Sequence, residues 1–210
     1  MAIVEESCPQ CGAQLSWERD RCPCCRHDVG APNVRMALKE REALRQRYKT
    51  ALADGGTPEV QAKIEAFAQV VKQQSQAVVN VSPDYLKGFL ESSRDFYSGY
   101  VLQVAAEVRA AAEMEDDMAR RSVEGRLFGT IAPHIRYAAL SLNGRGLLSY
   151  GTCAIALDPR LCAYAASLLE ENSYHFVENH QLFGRTPFPA GHRSVWEDRH
   201  WLATAHKLCS

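Results

Sequence analysis

The chain of 210 residues has almost no charge of its own: 24 Lys and Arg stand against 25 Asp and Glu. A whole-molecule attraction to nucleic acid is thereby excluded, since that needs a large surplus of one sign. No apolar run approaches the roughly 18 residues that a bilayer-crossing helix requires, so no membrane segment is expected. The opening Met1-Ala2-Ile3-Val4-Glu5-Glu6 is acidic. It lacks the basic start and long apolar stretch of an export signal, and a cytoplasmic location is the expectation. No G-x-S-x-G, Walker loop, G-x-G-x-x-G or H-E-x-x-H is present, which removes the common signatures of serine hydrolases, nucleotide binders and zinc peptidases. There is no internal repeat and no low-complexity tract. With 46% hydrophobic and 23% charged residues, the composition is that of an ordinary globular protein of one domain with appendages, or two small domains.

Cysteine is not scarce. Five of the eight fall within residues 8–25, and the others (Cys153, Cys162, Cys209) are scattered. Clustered pairs without an export signal point to metal binding in a reducing compartment rather than to a disulfide framework. Cys8-Pro9-Gln10-Cys11-Gly12 and Cys22-Pro23-Cys24-Cys25 hold two Cys-x2-Cys pairs ten residues apart. Each pair can wrap a tight turn around one ion, and four thiolates make the closed tetrahedral site of structural zinc. Cys8, Cys11, Cys22 and Cys25 are the expected ligands, because the second spacing then repeats the first. Cys24 is left as a spare thiol that could replace Cys22 or Cys25, and His27 as a surface residue. The first knuckle resembles those of zinc-ribbon proteins over about 20 residues. That resemblance implies a zinc-ribbon fold and leaves open a protein-binding, nucleic-acid-binding or structural role.

The fold class expected is α+β. An N-terminal zinc ribbon precedes a central antiparallel helical hairpin and a long helix, and a small β-sheet with flanking helices follows. The divisions expected are 1–30, 31–81, 82–124 and 125–210. A first helix opens near Pro32-Asn33, with Val34, Leu38, Leu44, Tyr48 and Leu52 along one face, and stops at Asp54-Gly55-Gly56. Thr57 caps a second, with Pro58 at its first position and Val60, Ile64, Phe67, Val71 and Val78 on its apolar face. The first helix is basic (Arg35, Lys39, Arg41, Arg45, Arg47, Lys49), which suits either nucleic acid or the solvated outside of a coiled-coil pair. Ser82-Pro83-Asp84 opens a further helix, and a long helical pattern runs from Arg94 to Arg121.

From Gly125 the texture turns to β. Ile135–Leu142 and Leu147–Leu157 are expected strands, with Asn143-Gly144 as their hairpin turn and Gly151 as a bulge or close approach. Asp158-Pro159 begins a helix through Leu161, Ala165, Leu168 and Leu169. Tyr174, Phe176 and Val177 suit a strand or a short helix. Ser194-Val195-Trp196-Glu197 has the pattern of a capping box opening a final helix.

Six of the seven histidines lie in this half: His134, His175, His180, His192, His200 and His206. Their spacings do not place two on one helix face four residues apart, so no second metal site is expected from spacing. Cys153 suits a buried strand position, with a nucleophile as the alternative. The order Arg136, then Ser149-Tyr150-Gly151-Thr152 on a strand, then Glu170-Glu171 resembles mono-ADP-ribosyltransferase toxins. That resemblance implies Arg136 holding NAD phosphates, Ser149 placing the nicotinamide ribose, and Glu171 (or Glu170) stabilising the oxocarbenium-like transition state. A fixed guanidinium suits a pyrophosphate, and a carboxylate suits developing positive charge. Tyr150 could stack on the nicotinamide, and Arg145 and Arg185 sit in Gly-rich turns within reach of an anion.

Three functions follow as expectations. The first is an intracellular NAD-dependent ADP-ribosyltransferase-like toxin or effector, with the ribbon and helices as a docking arm. The second is a non-catalytic zinc-ribbon adaptor for a partner protein, with nucleic acid as a further candidate. The third is a histidine-using hydrolase or nuclease, in which His175, His192 or His200 meets a carboxylate or Cys153.

Overall fold

The computed structural model describes residues 6–91, 114–182, 184 and 186–209. Much of the long helical pattern from Arg94, including Phe96, Tyr100, Val104 and Val108, lies outside them, as does Arg185. The architecture is α+β. In chain order it runs β1 (Glu6–Ser7), β2 (Gln14–Leu15), α1 (Pro32–Lys39), α2 (Arg41–Asp54), α3 (Pro58–Gln74), β3 (Gln76–Val81) and α4 (Pro83–Glu91). Then come α5 (Met114–Phe128), β4 (Ala139–Ser141), β5 (Cys153–Ala156), α6 (Pro159–Ala165), β6 (Ser167–Leu169), α7 (Ser173–Asn179), β7 (Arg193–Val195) and α8 (Arg199–Cys209). No helix among the described residues is long and apolar enough to cross a membrane.

The chain forms two compact units: Met1–Gln73 with Arg160–Ser210, and Gln74–Pro159. In the first unit β1 and β2 make the ribbon's short antiparallel pair. Pro32 stands in the first turn of α1, where its missing N–H costs nothing. The single helix expected from Pro32 is two helices. Glu40, at φ −94° and ψ −1°, separates α1 from α2. Its buried carboxylate accepts two guanidinium N–H bonds from Arg193, one of them 2.7 Å long, and the Gly191 N–H at 3.3 Å. The interruption is local: the Glu40 N–H still donates to Ala37 O at 3.1 Å and its carbonyl accepts the Leu44 N–H at 3.0 Å.

Helix α2 packs along α8. Leu44 is 0% exposed, and Ala51, Leu202 and Ala205 are also buried. The Tyr48 and Trp201 rings stack at 6.2 Å. Truncating a leucine buried to that degree costs about 2–5 kcal/mol. Thr57 Oγ1 accepts the Val60 N–H at 3.4 Å and starts α3 as its capping pattern requires.

Two further expectations for this unit are corrected. Leu168 and Leu169 belong to β6 rather than to a helix from Pro159, because α6 ends at Ala165. Strand β6 pairs antiparallel with β7, Leu168 opposite Ser194. Ser194 is therefore a strand residue with a buried, unpartnered hydroxyl, and α8 begins only at Arg199. The capping-box pattern is present without a capping box. The segment around Tyr174 is a helix, and Asn172 Oδ1 caps it by accepting the Tyr174 N–H at 2.9 Å.

The second unit is built on a three-stranded antiparallel sheet in the order β4-β3-β5. Its centre, β3, lies where Val78 was expected to end a helix. The run Gln76-Ala77-Val78-Val79-Asn80-Val81 is rich in β-branched residues, and Ala77, Val78, Val79 and Val81 are buried. The hairpin expected between residues 135–142 and 147–157 is also corrected: β4 and β5 pair with β3, not with each other. The turn itself forms, with Asn143 Oδ1 accepting the Arg145 N–H at 3.0 Å. Asn80 reaches across to it, donating to Arg145 O and accepting the Leu147 N–H at 2.7 Å. Gly151, at φ +154°, lies so close to β3 that a Cβ would sit 2.2 Å from the Val81 backbone. It is the close approach expected of it.

Candidate functional site

The four expected cysteines converge. The Sγ atoms of Cys8 and Cys25 are 3.6 Å apart, as are those of Cys11 and Cys22. All four lie within 4.8 Å of one another. A tetrahedron with metal–sulfur bonds of about 2.3 Å has edges of about 3.8 Å, so the donor set fits one ion. Local backbone builds it. Gly12, at φ +72°, closes the first knuckle by donating to Cys8 O at 2.9 Å, and Arg26, at φ +60°, closes the second by donating to Cys22 O at 3.0 Å. The Cys25 N–H, against the effect of burial and with help from the Cys24 N–H, brings the Cys22 thiol down to about 6. Cys24 thus serves the site with its backbone, and its own exposed thiol stands outside the four-sulfur group. These cysteines are positioned to bind a metal ion.

Arg35 on α1 seats the ribbon. Its guanidinium donates to Trp17 O (2.8 Å), Arg19 O (2.8 Å) and Gly30 O (2.5 Å), and its Nε to Glu6 Oε2 (2.9 Å). Lys39 pairs with the same Glu6 carboxylate. Tyr164 on α6 donates to Asp28 Oδ2 at 2.7 Å from the opposite part of the sequence.

The residues of the transferase resemblance are divided between the units. Arg136, Arg145, Ser149 and Tyr150 belong to the second unit and are exposed; Glu171 belongs to the first. Arg136 Nη1 donates to His134 O at 3.1 Å. Ser149 and Tyr150 form a short 3₁₀ turn before β5 rather than strand. The Glu171 carboxylate accepts both of its described bonds from Asn179 Nδ2, at 3.0 and 3.1 Å.

The other member of that acidic pair has a different setting. Glu170 follows β6, and its side chain is only 6% exposed. Oε1 meets His180 Nε2 at 3.1 Å and His192 Nδ1 at 2.5 Å. Oε2 accepts from Arg47 Nη1 on α2 at 3.0 Å, and the same Nη1 donates to Gly191 O at 2.7 Å. His180 closes α7 at its C-terminus, where its ring lies 4.6 Å from that of Phe176. His192 precedes β7, between Gly191 and Arg193, both held by Glu40. Burial works to raise the Glu170 pKa. The hydrogen bond and charge of His192, the bond from His180 and the charge of Arg47 outweigh it and hold the carboxyl down at about 2.

Spacing alone missed this group, because its members come from a strand end, a helix end and a loop. The histidine-using reading expects His192 to meet a carboxylate, and it does not include His180. His200 is buried with an unpartnered Nδ1, and burial, followed by the charge of Lys72, lowers its pKa. Beside Arg47 a shallow depression of about 380 Å³ is lined by Ala43, Gln46, Thr50 and Ala190. No model of a known protein family, no curated protein and no solved structure matches the chain.

Proposed function

We propose that this is a zinc-binding docking protein, whose four-cysteine ribbon is a structural zinc module presenting its knuckles to a partner protein. The observation that carries this reading is the closed donor set on a seated ribbon. Four thiolates leave no open coordination position for chemistry. Pro9, Gln10 and Arg26, on the knuckle tips, are exposed. Arg35 holds the ribbon through three carbonyls, so those tips are presented in a fixed orientation.

A protein partner is favoured over nucleic acid by how the basic helix uses its charge. Arg35 and Lys39 pair with Glu6, Arg41 with Asp198 at 2.7 Å, and Arg47 with Glu170. Cations spent on internal carboxylates release no counterions from a phosphate backbone. The clustered Cys-x2-Cys pairs, as metal ligands, suit a reducing, cytoplasmic setting.

The test is a pair of zinc-loaded proteins, native and Gln10→Glu with Arg26→Glu, compared by capture from extracts of the source cells. The expected result is equal zinc content and loss of the native protein's partners in the variant. Identical capture by both would overturn docking through the knuckles, and nicotinamide release from NAD by purified protein would favour the transferase reading instead. A histidine-using hydrolase is the second reading, and the bond from His192 to Glu170 favours it.

A further inference from the structure

Beyond the ribbon, we propose that Glu170, His180 and His192 form a second, open metal site for a divalent first-row transition ion. One carboxylate oxygen and two imidazole nitrogens, from three different elements, lie within 4.8 Å of one another. Imidazole with carboxylate is a donor set suited to Zn²⁺, Co²⁺, Ni²⁺ or Fe²⁺ rather than to Mg²⁺ or Ca²⁺.

The distances allow it. Metal–ligand bonds of about 2.1 Å set donor separations of about 3.0 Å at right angles and about 3.4 Å in a tetrahedron. The separation of His180 Nε2 from Glu170 Oε1, 3.1 Å, already falls in that range. His192 Nδ1, at 2.5 Å, moves outward by about half an ångström when the ion replaces the shared proton.

The surroundings are those of a supported site. Metal-bound carboxylates are themselves hydrogen-bonded, and Arg47 does this for Oε2, leaving Oε1 as the single ligating oxygen. Arg47 also fixes Gly191 O, next to His192. Gly191, at φ +85°, lies where a Cβ would be 2.8 Å from the backbone of Ala43 and Leu44. The loop that carries His192 is therefore set against α2 with no room for a side chain. The imidazoles are 23% and 18% exposed, so the group is open to solvent on one side. Three protein ligands leave positions for water or a substrate oxygen, which the four cysteines do not.

The experiment uses the full chain, stripped of metal and then titrated with Co²⁺ and, separately, Zn²⁺. The native protein is expected to take up two ions. The first gives the thiolate-to-cobalt charge-transfer band of a sulfur site, and the second adds only weak d–d absorption. Glu170→Gln and the double variant His180→Gln with His192→Gln keep hydrogen-bonding side chains. Each is expected to bind one ion, with unchanged charge-transfer absorption and an unchanged circular dichroism spectrum. Arg47→Met is expected to weaken the second ion about 10-fold, at the low end of what loss of a supporting hydrogen bond costs. Saturation of the native protein at one ion, with only the sulfur signature, would overturn the proposal and leave the group a hydrogen-bonded junction. Two ions in the glutamine variants would place the second ion elsewhere and overturn it equally. The Cys8→Ser variant separates this result from the ribbon's, since it should lose the charge-transfer band and retain the weak absorption.

Discussion

The four cysteines and the group of Glu170, His180 and His192 are assembled in opposite ways. The cysteines come from two turns within residues 8–25, and the ribbon around them has only a minimal core of Cys8, Leu15 and Cys22. So little apolar surface cannot order the chain by itself, and an ion bound there would supply the folding energy. Glu170 and its histidines come from a strand end, a helix end and a loop, held by Glu40 and Arg47, which are distant from them in sequence. There the fold makes the geometry, and an ion would be its beneficiary. At the cysteines an ion would be a cause of structure, and at Glu170 a consequence of it, so each group should be breakable while the other stays intact.

The largest effect expected is from the ribbon's ion. Cys8→Ser should abolish sulfur-site metal uptake, removing a contribution on the order of 10 kcal/mol. Amide exchange should accelerate over residues 6–30 while α2 and α8 stay protected. Loss of protection throughout the first unit would break the contrast.

Next is Glu40→Ala, which leaves the buried Arg193 guanidinium without its carboxylate and frees Gly191. Stranding a buried charge costs about 3–5 kcal/mol. Urea unfolding should show that loss, while zinc binding at the cysteines is unchanged.

Acid should act on the second group more gently. The Glu170 carboxyl is held at about 2 against an ordinary value of 4.5. Its stabilisation is fully present above about pH 4.5 and is lost as pH falls towards 2, amounting to about 3 kcal/mol. Glu170→Gln should flatten that limb of the stability profile of the metal-free protein, and an unchanged acid limb would contradict the charge network. The smallest effect expected is Gly191→Ala, about 1–3 kcal/mol from the left-handed backbone and the crowding against α2. It should weaken metal binding at the histidines and leave the cysteine site intact, as a cobalt titration would report.

These two centres also show what could be learned from residue order. The cysteine ligands were legible because two short repeats lie in one turn-rich stretch and the spacing itself carries the geometry. Pro32 and Thr57 were legible for the same reason: each acts through its own backbone or its immediate neighbours. Val78 was not, because a β-branched run after a helix has apolar residues in register with both periods, and only pairing on two sides decides for strand. Ser194 carried a local capping pattern that the pairing of β6 with β7 overrode. Glu170 could be singled out only as half of an acidic pair. Nothing near it in the chain announces that Arg47, His180 and His192 will surround one carboxylate.

The first unit is interrupted in the chain by the whole of the second. During synthesis this imposes an order of events. The ribbon's sulfurs emerge together and can capture an ion at once. Helix α2 emerges soon after, but α8, which covers Leu44 and Ala51, is translated only after residues 74–159. Glu40 waits for Arg193 over the same interval. For that time the nascent chain carries a completed pair of cysteine knuckles beside a bare apolar helix face, the kind of transiently exposed surface that chaperones exist to shield.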